Sequence, residues 1–411
     1  MRRARGAGGA SPARVRNAGG PAGSPTAELD ASTGAAHAAG APAVDPRVVD
    51  PAGVETPIGL VDLERVRANA RRVASYASEH GLTWRPHIKT HKSRAIARIQ
   101  LDAGARGLTV ATLREAEVMS ELTRDILMAY PPVGEPKLAR LMRLPAGIDL
   151  KVALDSEDVL RGLAAAASAA GREVGVLVEQ DVGLGRVGLG EPGAVADLAR
   201  AAERLAGVRF RGLLFYPGHI RMAEAEQTEH LRAVRQRVAA TLHALAAAGL
   251  EAEIVSGGST PTLWRGHEIE GLTEIRSGSC IFFDREAIDV GVATADDVAY
   301  TVLATVVSTA VPERAVVDAG SKALAKEVRG GGGGFGVLLD RPEVSVVSLS
   351  EEHGVLDLAG TDWTPRVGER VRIVPNHVCV SVNLQDHLLA RDKGGHHLLP
   401  LEARGRGPWT G

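Results

Sequence analysis

A lysine amine condenses with an aldehyde to form a Schiff base, and a guanidinium does not. Of the 48 lysines and arginines in the chain only seven are lysines, and two of these fall in Arg85-Pro86-His87-Ile88-Lys89-Thr90-His91-Lys92. Where arginine supplies nearly all the positive charge, a lysine closing a strand points to its amine, and so to an aldehyde cofactor such as pyridoxal phosphate. The spacing places Lys89 at the end of a strand Thr83–Lys89, with His87 two residues earlier on the same strand face and able to contact a bound ring. Lys92 falls in the following turn, where solvation is the expectation.

Four more segments carry residue types suited to such a cofactor. In Glu179-Gln180-Asp181-Val182-Gly183-Leu184-Gly185-Arg186 the glycines let backbone approach a ligand, and Gln180 and Arg186 are assigned to the cofactor. An ordinary strand-to-helix loop is the alternative. Tyr216 of Phe215-Tyr216-Pro217-Gly218-His219 could stack on a ring, with His219 a titratable neighbour, or could be purely structural. Ser256-Gly257-Gly258-Ser259-Thr260 combines small residues, hydroxyls and a helix start into a cradle for phosphate; a capped helix start is the alternative. His377 and Cys379 would project to one side of an extended strand, about 7 Å apart. That pair suits zinc with positions left open, water or substrate oxygens making up for a missing third ligand. A buried cysteine beside a strand histidine is the other outcome of that spacing. Cys280, in Cys280-Ile281-Phe282-Phe283, reads as packing.

To position these groups the chain needs strands that end at one rim. From Thr56 onward, apolar runs such as Gly107–Thr112, Asp149–Leu154, Glu173–Asp181, Phe210–Gly218 and Glu274–Asp284 alternate with helical patterns such as Ser156–Ala170 and Ala223–Ala247. Eight such units predict an α/β fold, a (β/α)8 TIM-type barrel over 53–284, with catalytic groups at the C-terminal ends of its strands. A doubly wound sheet is the rival, but no dinucleotide glycine fingerprint follows the first strand. Beyond Asp284, Val298–Thr309, Ala315–Val317, Val344–Leu349 and Arg370–Val374 read as strands of a smaller, mainly β domain over 285–406. The short strand Pro57–Asp62 is expected to pair into it. Gly330–Gly334 reads as a mobile loop that lacks the Lys-Ser/Thr ending of a phosphate loop.

Residues 1–52, rich in Ala, Gly, Pro and Arg, read as disordered. A net charge of -2 gives no reason to expect nucleic acid or an anionic membrane, and no apolar run is long enough to span a bilayer. Two cysteines make no disulfide framework, so a cytoplasmic setting is expected.

With RPHIKTHK, VEQDVGLGRVG, FYPGH, VSGGSTPT, EIRSGS, VVDAGSKAL, LSEEHG and PNHVCVSVN in that order, the chain resembles the D-threonine aldolase and D-serine dehydratase family. These are fold type III relatives of alanine racemase, and the resemblance spans about Thr56 to Arg406. It implies that Lys89 holds pyridoxal phosphate, that the Ser256–Thr260 turn takes its phosphate, and that Arg186 and Tyr216 lie near its ring. His377 and Cys379 resemble the zinc ligands of the dehydratases, where many aldolases have His-x-Asp; Mn2+ is the other metal considered. The resemblance further implies a homodimer acting on D-β-hydroxy-α-amino acids by dehydration or retro-aldol cleavage, the thiolate leaning slightly to dehydration. A racemase would need a second base, and the only tyrosine beyond Asp284 is Tyr300. A non-catalytic cofactor carrier would leave His377 and Cys379 without a purpose.

Overall fold

The computed structural model describes residues 48–328 and 333–407. Of the 1–52 segment, residues up to 47 lie outside this range, as do Gly330–Gly332 of the glycine run. Residues 48–54 are tied to the second sheet. The Val49 amide donates to the His396 carbonyl at 2.7 Å, and Arg370 donates to the Pro51, Ala52 and Val54 carbonyls. The disordered reading therefore does not extend through residue 52.

The first strand, β1 (Ile58–Asp62), precedes a barrel built from β2 (Thr83–Trp84), β3 (Leu108–Val110), β4 (Asp125–Met128), β5 (Asp149–Leu154), β6 (Val174–Gln180), β7 (Val208–Phe215), β8 (Ile254–Gly257) and β9 (Glu274–Ile275). Eight parallel strands run in the order β2-β9-β8-β7-β6-β5-β4-β3. The ends meet where the Thr109 amide donates to the Pro86 carbonyl at 2.9 Å and His87 bridges Thr109, closing the barrel. Helices cover the outside, which is why β6 is buried at all seven positions. Leu160, Leu163, Ala164 and Ala167 form the buried stripe of helix Glu157–Ala169, whose Ser156 N-cap accepts from Val159 N. The lower barrel is polar: fully buried Arg85 joins Glu274 to Asp125, and Lys151 also reaches Asp125.

Two expected strands are shorter than their apolar runs. Pro86 has no N–H to give the ladder, and β2 stops at Trp84, so Lys89 stands on a 3-10 turn, Ile88–Thr90, rather than at a strand end. His87 therefore does not share a strand face with it. Likewise β9 stops at Ile275, and Ser279–Ile281 forms another 3-10 turn.

The second sheet contains β10 (Tyr300–Ser308), β11 (Arg314–Val317), β12 (Gly336–Leu338), β13 (Val346–Leu349), β14 (Gly354–Asp357), β15 (Arg370–Pro375), β16 (His387–Asp392) and β17 (Gly395–Pro400). β1 joins it, antiparallel to β10 and parallel to β16, so the entry strand does belong to this sheet. At the end of β15 the chain turns at once into helix Val378–Asn383, with His377 at its N-cap position. His377 and Cys379 thus sit on a strand-to-helix corner and not on an extended strand. The cause is Asp284, whose Oδ2 accepts the Val378 amide at 3.0 Å and starts the helix. Among the described residues no helix is long and apolar enough to cross a membrane.

Candidate active site

Lys89 is exposed between buried Ile88 and Thr90, and its neighbours are all anchored. The His87 amide donates to the Arg276 carbonyl at 3.2 Å, and His91 Nε2 meets Gln100 Oε1 at 3.0 Å. Burial drives the His91 pKa down to about 3, so the ring serves as a neutral strut. Lys92 is not solvated. Its left-handed backbone, φ 52°, turns the side chain inward, where Nζ lies 2.6 Å from Glu115 Oε1 and the residue keeps only 8% exposure. One lysine of the pair is structural, and the other is presented.

Lys89 Nζ stands 6.0 Å from the centroid of the Tyr216 ring, and Arg186 Cζ stands 5.0 Å from it. Tyr216 can fold over its own turn because residue 218 is glycine: a Cβ there would lie 2.2 Å from the ring. Asp181 shapes the Arg186 loop, its Oδ1 accepting the amides of Gly183, Leu184 and Gly185. His87 is close to this group. Burial first, then the positive charges of Lys89, Arg276, Lys92 and Arg186, hold its pKa well below the usual range, and its Nδ1 is buried without a partner.

Gln180 requires a correction. Strand residues alternate between faces, and Gln180 turns outward, its Nε2 donating to the Arg237 carbonyl in the helix layer at 3.1 Å. Glu179 takes the inward position. Burial raises its pKa, while Arg276 and Arg186 pull it back.

The loop after β8 lies against the loop after β9. Ser277 Oγ donates to the Ser259 carbonyl at 2.9 Å, and Ser279 Oγ to Thr260 Oγ1 at 2.8 Å. Among the described residues, the amides of Gly258, Ser259, Gly278 and Ser279 donate to no protein acceptor. Four free amides from two abutting loops are donors of the kind that an anion can accept. Gly257 belongs there for want of room, since a Cβ would sit 2.2 Å from the Phe215 ring. Ser256 lies deeper: its hydroxyl donates to Glu274 Oε1 at 2.6 Å and accepts from Arg276 Nη1 at 2.7 Å. Arg276 also donates to the Phe215 carbonyl, and burial lowers its pKa to about 10 against the opposing pull of Glu274 and Glu179.

The corner residues reach this rim. Thr90, next to Lys89, places Oγ1 3.1 Å from Cys379 Sγ. Burial opposes ionisation of that thiol, yet His377, the Lys89 amine and Thr90 together lower its pKa. Burial also works against a charge on His377, but Cys379 and Asp284 raise its pKa to about 11. Among the described residues no group of three or more His, Cys, Asp and Glu side chains is arranged to hold a metal. Cys280 is fully buried, and burial pushes its thiol pKa upward, as packing requires.

Comparison with known proteins matches residues 61–286 to the alanine racemase N-terminal domain and residues 299–390 to a putative serine dehydratase domain. The chain is 35% identical over 353 residues to the D-threo-3-hydroxyaspartate dehydratase of Delftia sp. (strain HT23), covering 80% of this chain and 92% of that protein. It belongs to the D-threonine aldolase and D-serine dehydratase family. The D-threonine aldolase of Arthrobacter sp is 33% identical over 361 residues, 86% of this chain and 94% of that one. The crystal structure of D-threonine aldolase from Filomicrobium marinum superposes with a TM-score of 0.80 at 32% identity, over 87% of this chain and 97% of its own.

Within this aldolase–dehydratase family member, sequence reasoning assigned no role to several residues that the fold brings to the rim. Arg276, Gly278 and Ser279 lie in EIRSGS, within the expected strand Glu274–Asp284, and receive no binding role there; on β6 that role goes to Gln180 and not to Glu179. Nothing local marked Asp284 or Thr90, whose partners at 377–379 are roughly a hundred or more residues away.

Proposed function

We propose that the protein is a pyridoxal-phosphate- and divalent-metal-dependent lyase of D-β-hydroxy-α-amino acids, of the D-serine dehydratase or D-threonine aldolase type. The carrying observation is the 3.1 Å contact between Thr90 and Cys379, which sets the lysine turn and the His377/Cys379 corner side by side. The residues fit both groups. Lys89 would hold the cofactor aldehyde, Tyr216, Arg186 and His87 would surround its ring, and the free amides of Gly258, Ser259, Gly278 and Ser279 would take its phosphate. His377 and Cys379, one nitrogen and one sulfur, suit zinc more than Mn2+, with the other positions left to water or substrate. Solved structures related to this chain include variants of D-threo-3-hydroxyaspartate dehydratase in which a histidine, and a cysteine two positions later, are replaced by alanine, the latter in the metal-free form.

Bound pyridoxal phosphate supplies an electron sink for the substrate's Cα, and the metal supplies a Lewis acid for its β-hydroxyl. The chain's own part is placement and proton transfer. Lys89, which would hold the cofactor, would also be the base that takes the Cα proton; loss of hydroxide from Cβ and hydrolysis would then account for a keto acid and ammonia. In the retro-aldol branch the β-hydroxyl proton would pass to a base and a proton would return to Cα as the Cα–Cβ bond breaks, giving an aldehyde and glycine. The thiolate ligand supports the dehydratase branch, slightly. Tyr300 gives a racemase no second base: it is fully buried, its hydroxyl is 2.9 Å from Ser381 Oγ, and burial raises its pKa. A homodimer in the cytoplasm is the setting this reading expects.

Incubating cofactor- and zinc-loaded protein with D-serine and D-threonine tests it. Pyruvate with ammonia, or glycine with acetaldehyde, supports the lyase. Racemised amino acid without either product pair would overturn it.

A further inference from the structure

We infer that Asp284 and Thr90 are the positioning residues of the metal centre, each holding one of the two ligands from the barrel side; the inference rests on the metal reading above. Both are almost fully buried, at 3% and 1% exposure. Asp284 has three claims on it. Oδ1 accepts the Ala287 amide at 3.1 Å, Oδ2 accepts the Val378 amide at 3.0 Å, and the same Oδ2 lies 3.2 Å from His377 Nδ1. Nδ1 is buried, has Glu286 Oε2 as its other acidic neighbour at 3.8 Å, and meets Asp284 as an ion-pair contact, without hydrogen-bond geometry. A ring whose Nδ1 faces a fixed carboxylate keeps its proton there and offers Nε2 to the metal. Asp284 therefore selects the ligating nitrogen while its bond to Val378 fixes the corner that carries the ring.

Thr90 does the equivalent for sulfur. Its Oγ1 is 3.1 Å from Cys379 Sγ, and a metal-bound thiolate accepts hydrogen bonds only, so the hydroxyl donates. Because Thr90 follows Lys89 in the turn Ile88–Thr90, the same three residues present the amine and steady the sulfur. Placing both ligands against barrel residues fixes the metal relative to Lys89, and a ligand pair standing on its own corner would not do so.

Zinc affinity of the full-length, cofactor-loaded protein, measured by competition with a chromophoric chelator, decides the matter. His377→Ala serves as the reference for loss of a ligand. We expect Asp284→Asn and Thr90→Val each to weaken zinc by about 10–100-fold, as outer partners of ligands do, with the visible absorbance of lysine-bound cofactor retained. Thr90→Ser should restore the affinity, and this arm remains decisive if Asp284→Asn misfolds through loss of its helix cap. Wild-type affinity in both Thr90→Val and Asp284→Asn, alongside loss in His377→Ala, would overturn the inference and leave the metal reading standing. Unchanged affinity in His377→Ala would bring down the metal reading, and the inference with it.

Discussion

The loops after β8 and β9 offer a ligand backbone amides, whereas the His377–Cys379 corner offers side chains. At the rim, four amides of two loops are left free where Gly257 and Gly278 leave no room for a Cβ and Gly258 takes a left-handed φ of 89°. The hydroxyls of Ser277 and Ser279 lock one loop onto the other. At the corner, two side chains depend on Asp284 and Thr90, which come from elsewhere in the chain. The rim should thus fail by shape and the corner by loss of a partner. The two lysines repeat the contrast within three residues: Lys89 is exposed beside Tyr216, and Lys92 is buried against Glu115.

Lys89→Ala breaks the contrast most severely. Turnover should fall by about 10²–10⁴-fold or more, and the visible absorbance of lysine-bound cofactor should vanish while the thermal midpoint is kept. Metal removal separates the two regions: a chelator should abolish turnover but leave that absorbance intact, and added zinc should restore activity. Full lyase activity in the chelated protein would remove the metal from the reaction.

Smaller effects concern stability. Lys92→Met leaves Glu115, which is 0% exposed, without its cation, and should cost about 3–5 kcal/mol in denaturant unfolding. Gly257→Ala drives a methyl to 2.2 Å from the Phe215 ring and should cost about 1–3 kcal/mol, with weaker cofactor binding as its particular signature. A pH-dependent effect is acid lability from His91. Its folded pKa, about 3, lies below the usual 6.5, so the unfolded chain binds the extra proton between those values. Stability should fall with decreasing pH over that window by at most about 1.4 kcal/mol per pH unit, and His91→Gln should flatten the slope.

The barrel was legible because buried parallel strands are continuous apolar runs, and the place of Ser256–Thr260 at the rim because it ends one of them. The lysine turn was misplaced, since Pro86 ends a ladder that the apolar pattern alone would continue. Gln180 was taken for Glu179 because a strand buried on both faces shows no polar alternation to say which face is inward. Lys92 looked solvated because Glu115, its partner, lies 23 positions away. The strand-to-helix corner was hidden for the same reason, its cap at Asp284 being 94 positions from Val378.

The most direct test is a crystal structure of the zinc- and cofactor-loaded protein, with the metal located by anomalous scattering. The account predicts zinc bound by Cys379 Sγ and His377 Nε2, on the side of the site where Lys89 Nζ is bonded to the cofactor. Zinc bound away from these two residues, or cofactor bonded to another lysine, would contradict it.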